Sequence, residues 1–91
     1  MNYHIRQFAE AEYKRIHDGY IDNYPVQADW TKIFTEKGYV YADLLDTKNL
    51  YAARLWCQKE FGKDHFFIIS NTNRFWFETE QQRLHFILKW F

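Results

Sequence analysis

The sequence predicts an α+β fold, a small antiparallel sheet with a C-terminal β-hairpin, packed by helices in a two-layer arrangement. Three observations predict it. The last 28 residues, Asp64 to Phe91, read as strand (DHFFIIS), turn (NTN), strand (RFWFE) and helix (TEQQRLHFILKWF), with almost nothing between them. The segment Thr47–Phe61 carries a helical apolar stripe. Aromatic residues make up 22% of the chain, so a few side chains can supply the core that holds these elements together.

In chain order, Ile5, Phe8, Ala9 and Ile16 recur near helical spacing and predict a first helix over Tyr3–His17, with Gly19 as its stop. Tyr20–Gln27 contains Pro25, the only proline, and reads as a connector. Asp29 is a suitable N-cap for a short helix through Trp30, Ile33 and Phe34 that ends at Gly38. These two N-terminal helices either join the layer of the later helices or cover the opposite sheet face, and the sequence leaves both placements open. Tyr39–Leu45 is β-branched and aromatic enough for a strand. Asp46 or Thr47 then caps a helix whose stripe is Leu50, Ala53, Cys57 and Phe61, with Trp56 beside it and Gly62 after its end. In the hairpin, Asn71-Thr72-Asn73 is the expected turn, because asparagine tolerates the left-handed backbone that such turns demand. Thr79 and Gln82 match a capping box for the last helix, whose expected inward face is Leu84, Ile87, Leu88 and Phe91.

Ninety-one residues make a single domain, 1–91, since two separate cores would each be too small to offset chain entropy. Net charge is zero, but unevenly spread. Residues 1–46 hold five basic and eight acidic groups, whereas residues 47–91 hold seven and four. That asymmetry is too weak for a nucleic-acid footprint by itself. The single cysteine, Cys57, excludes an internal disulfide, and its place on an apolar stripe predicts a packing thiol. The opening MNYHIRQF lacks an apolar signal region and no run approaches a membrane span, so the expectation is a cytoplasmic protein without a membrane role.

No catalytic constellation is legible. His4, His17, His65 and His85 do not have zinc-ligand spacing, and there is no Gly-rich phosphate loop, HExxH or GxSxG. Carboxylate pairs such as Glu10/Glu12 and Asp43/Asp46 read as surface charge. The expectation is therefore a non-enzyme with no catalytic residue, no metal and no cofactor. The candidate site is a binding face. In RFWFE, Phe75 and Phe77 share one side of the strand, while Arg74, Trp76 and Glu78 share the other. Trp76 between opposite charges suggests an aromatic anchor on an open sheet face, with Arg74 and Arg83 beside it. The competing reading covers Trp76 with another aromatic, Phe66 or Phe67, across the hairpin.

WCQKEFG at Trp56–Gly62, followed by RFWFETEQQRLHFILKW at Arg74–Trp90, resembles uncharacterised small accessory proteins of tailed bacteriophages. Such proteins often close on an aromatic strand, an acidic turn and a helix ending in a pattern that Phe86, Leu88, Lys89 and Trp90 match here. The resemblance covers about the last 40 residues and implies a source in a virus of bacteria, hence the host cytoplasm, but no catalytic residue. Small phage proteins commonly bind host macromolecules, including defence machinery, and block or redirect them. The leading expectation is thus a binding protein acting on a host or viral protein, with a homodimer on the same surface as a variant. The alternative is a single-stranded nucleic-acid binder using the hairpin face and the basic groups Lys59, Lys63, Arg74, Arg83 and Lys89.

Overall fold

The structure, a computed structural model, describes residues 4–18, 29–69 and 72–91. Helix α1 (Ile5–Asp18) starts close to the expected position. The imidazole Nδ1 of His4 accepts the Gln7 amide at 3.1 Å, and Glu78 Oε2 accepts the Ile5 amide at 2.8 Å, so two orphan donors of its first turn are satisfied. The expected stop at Gly19 and the connector Tyr20–Gln27 lie outside the described residues. Helix α2 (Trp30–Lys37) is capped by the Asp29 carboxylate, which accepts from the Lys32 amide. It ends at Gly38, whose φ of 100° is a left-handed value that a side chain would resist.

Strand β1 (Val40–Asp43) is shorter than Tyr39–Leu45. A 3-10 turn, Thr47–Asn49, capped by Asp46, leads into α3 (Leu50–Phe61). Gly62 follows with φ 88° and ψ 148°, outside the helical left-handed region, and starts a turn towards β2 in which its carbonyl accepts the His65 amide at 3.1 Å. Strands β2 (Phe66–Ile68) and β3 (Arg74–Phe77) pair antiparallel, and β1 pairs with the other side of β3, giving the order β1-β3-β2. The Ile69 carbonyl accepts the Thr72 amide at 3.1 Å and hydroxyl at 2.7 Å. Of the expected turn, Asn71 lies outside the described residues. Asn73 reaches away from the hairpin, its side-chain amide donating to the Leu44 carbonyl at 2.7 Å. The capping box of α4 (Glu80–Trp90) is present in full: Thr79 accepts from the Gln82 amide, and the Gln82 side chain accepts from the Thr79 amide.

The α+β class holds, with α3 and α4 layered on one sheet face as expected, and of the two placements the sequence leaves open for the N-terminal helices the structure takes the second, α1 and α2 on the opposite face. Ala42, Phe66, Phe75 and Phe77 pack against Ala53, Cys57 and Phe86 of α3 and α4. On the alternate face, Trp76 packs against Ile5 and Ala9 of α1 and Phe34 of α2, together with Tyr39. The period-two alternation of RFWF therefore feeds two cores, and the sheet is the middle of three layers.

The inward face of α4 is corrected. Phe86 is fully buried and Ile87 and Trp90 partly so, whereas Leu84, Leu88 and Phe91 are 50%, 84% and 59% exposed. The helix carries two rival apolar stripes, and the one containing Phe86 and Trp90 wins. Its aromatic rings bury more area, with Phe86 lying 4.7 Å from Phe75 and 5.2 Å from Phe77. The α3 stripe agrees with expectation: Ala53 and Cys57 are fully buried, with Leu50, Trp56 and Phe61 packed around them.

Candidate functional site

Trp76, the expected surface anchor, is fully buried. Its ring centroid lies 4.9 Å from that of Phe34 and 4.9 Å from that of Tyr41, and Phe67 is its partner across the hairpin. The open face expected from its charged neighbours is the seat of α1 and α2 instead. Arg74 and Glu78 do rim that aromatic, but the rim belongs to an intramolecular interface. Arg74 binds Asp43 on β1 (2.7 and 3.0 Å) and the Thr31 hydroxyl on α2 (2.9 Å), while Glu78 holds the start of α1 and lies 2.9 Å from His65 Nδ1. Among the described residues the indole Nε1 of Trp76 has no hydrogen-bond partner, and neither has that of Trp90.

Arg83 is structural as well. Its Nε donates to the Tyr41 carbonyl at 2.7 Å and its Nη1 to Glu80 Oε1 at 2.7 Å, which ties α4 to the β1 edge. Arg74 and Arg83 thus both meet Tyr41, while Trp76 lies beneath the surface they border. A base-stacking platform on the hairpin is absent among the described residues, because each sheet face is covered by two helices.

What the structure exposes lies elsewhere. Leu84, Leu88 and Phe91 are spaced i, i+4, i+7 and so line one outward face of α4. On α3, which covers the same sheet face, Tyr51 and Leu55 are 71% and 45% exposed and spaced i, i+4. Leu45, just after β1, is 81% exposed. The signal for the α4 stripe lies in the sequence, in a surplus of apolar residues on that helix larger than one inward face can bury.

A second surface lies along the outer edge of β2. Arg6 of α1 and Tyr51 and Arg54 of α3 flank a groove of about 290 Å³ whose floor is β2 itself. Sequence reading gave no hint of it, since Arg6 and Arg54 are 48 positions apart.

Further polar contacts gather near the start of α1. The His4 and His65 rings meet edge-on at 5.7 Å, and Arg6 Nε lies 3.6 Å from Asp64. Among the described residues no group of three or more His, Cys, Asp or Glu side chains is placed to hold a metal ion. Cys57 is fully buried, and burial pushes its thiol pKa up to about 12. Burial, with the Glu78 charge adding to it, also raises the Tyr39 phenol. Among the described residues no helix is long and apolar enough to cross a membrane. The chain matches no protein-family model, no curated protein and no solved structure.

Proposed function

We propose that this is a non-enzymatic binding protein that holds a protein partner against the outer face of its α3–α4 layer. The observation that carries this reading is the outward stripe Leu84, Leu88 and Phe91 on α4, in a chain whose other large apolar groups mostly go into two cores. Three large side chains on one helix face lose contact with water when an apolar surface covers them, and this is how helix-mediated recognition gains affinity. The stripe is apolar where a nucleic-acid surface needs cations, which favours protein over single-stranded nucleic acid. The resemblance of the C-terminal residues to small phage proteins supports a host or viral protein as the partner, with inhibition or redirection as the outcome of binding.

The test compares wild type with Leu88→Glu in capture from host lysate, followed by affinity measurement on the purified captured protein at two salt concentrations. Loss of that protein by Leu88→Glu, with weak salt dependence, is the expected result. Retention by the variant, or capture of nucleic acid with a steep salt slope, overturns the reading. Self-association that Leu88→Glu abolishes, with no foreign protein captured, replaces it with a homodimer.

A further inference from the structure

We propose that the outer edge of β2 is a second docking site, independent of the α4 stripe, and that it takes an extended acidic peptide as a fourth strand of the sheet. The sheet has two edges, β1 and β2. The β1 edge is closed by a side chain: Arg83 Nε donates to the Tyr41 carbonyl at 2.7 Å. Among the described residues the β2 edge has no such cover. Phe66, Phe67 and Ile68 make no backbone hydrogen bond beyond the sheet among the described residues. An unpaired edge presents a row of amide donors and acceptors to any extended chain that reaches it.

The groove beside this edge gives the occupant its charge. Arg6 stands on the α1 side, where Asp64 already lies 3.6 Å from its Nε, and Arg54 on the α3 side, and among the described residues no acidic side chain lines the space between. Arg6 is held in place by its Nε bond to the Lys63 carbonyl at 2.8 Å, with its guanidinium 5.6 Å from the Phe67 ring centre. Arg54 is exposed and has no ion-pair or hydrogen-bond partner among the described residues, so it is available to an incoming carboxylate. Exposed Tyr51, one helical turn before it, offers an apolar body beside that charge.

A strand added to this edge points successive side chains to opposite sides of the sheet. One side chain then meets Arg6 and the next meets Arg54. The fitting sequence has acidic residues on both faces, at neighbouring positions, rather than on every second residue. Three residues of β2 followed by Ile69 match a ligand of about four residues at roughly 3.4 Å each. Backbone pairing distinguishes this occupant from a phosphate backbone, which would use the arginines but not the edge.

The probe is a fluorescein-labelled hexapeptide, Val-Glu-Glu-Val-Glu-Glu, titrated with the full chain by fluorescence polarisation. Its controls are the same peptide with lysine for glutamate, two versions N-methylated at alternate peptide nitrogens in opposite frames, and a labelled oligothymidine. Saturable binding of the acidic peptide is expected, with loss for the lysine version and for one N-methylated frame only. Arg54→Glu, on an exposed helix position where the melt reports intact folding, should weaken binding about tenfold. Leu88→Glu should leave it unchanged, so failure here is distinct from failure of the α4 reading. No saturation by about 1 mM, equal binding of both N-methylated frames, indifference to Arg54→Glu, or oligothymidine binding in place of peptide each overturns the proposal.

Discussion

Arg74 and Asp43 face each other across the β1–β3 ladder and are joined by two hydrogen bonds, Nε to Oδ1 at 2.7 Å and Nη2 to Oδ2 at 3.0 Å. The guanidinium also lies 3.9 Å from the centre of the Tyr41 ring, which places a planar cation between an aromatic face and a carboxylate. Those hydrogen bonds, with Arg74's charge adding to them and burial opposing, hold the Asp43 carboxyl below its ordinary value of 3.8.

A depressed carboxyl pKa gives an acid-sensitive contribution to stability. The contribution is complete above the unfolded value and is lost as pH falls through the lower folded one. Asp43→Asn should therefore flatten the acid limb of stability relative to wild type, with the two curves running parallel above about pH 5. Because the Asp43 side chain is 38% exposed, solvent screening keeps the effect small. Urea melts from pH 7 down to the acid transition measure it. Identical acid slopes for variant and wild type would contradict the assignment.

Trp76 should be as costly to truncate as its neighbours. With Phe75, Trp76 and Phe77 all fully buried, each change to alanine should destabilise by about 3–5 kcal/mol. Trp76→Phe should cost much less, under about 1.5 kcal/mol, because it keeps an aromatic ring and removes an indole N–H that has no partner among the described residues. Chemical denaturation of the four variants separates these outcomes. If Trp76→Ala proved near-neutral, the α1–α2 layer would not be packed on the sheet as described.

Much of this fold was legible because local signals were unambiguous. Asp29, Gly38 and the Thr79–Gln82 box mark helix ends by hydrogen bonds within a few residues, and all three act as expected. The α3 stripe had a single reading. The sequence is silent where a choice depends on distant partners. RFWF alternates correctly, but alternation alone does not say whether the second face meets solvent or another helix. Charges beside Trp76 suggested solvent, yet Arg74 is satisfied by Asp43 and Thr31, 31 and 43 positions away. Helix α4 has two apolar stripes, and the choice between them depends on Phe75 and Phe77, whose rings meet Phe86 at 4.7 and 5.2 Å. The β2 groove depends on α1 and α3 meeting one strand edge, and no local pattern records that.

The outward stripe of α4 makes a direct prediction about stability. Leu84→Ala and Leu88→Ala should each shift stability by no more than about 0.5 kcal/mol, as changes away from the core do. Phe86→Ala, between them on the same helix, should cost about 3–5 kcal/mol. Thermal or urea melts rank the three. A large loss from Leu88→Ala would mean that the helix is rotated and the stripe belongs to the core.

Cys57 should be chemically silent in the native protein. It is fully buried on the inward face of α3, and burial pushes its pKa to about 12, so the thiolate that attacks disulfide reagents is scarce and shielded. Ellman's reagent should react slowly with folded protein and fast in guanidinium, and destabilising variants such as Phe86→Ala should speed the native reaction by increasing the opened fraction. The same shift has a pH signature. The unfolded thiol loses its proton near 9.0, while the folded one keeps it to about 12. Its contribution is complete below the unfolded value and is lost progressively as pH rises towards the folded one. Cys57→Ala should therefore make the alkaline fall in stability less steep than in wild type, whatever its cost at neutral pH. Equal alkaline slopes, together with rapid labelling of the folded chain, would place the thiol at the surface and overturn the packing of α3 against the sheet.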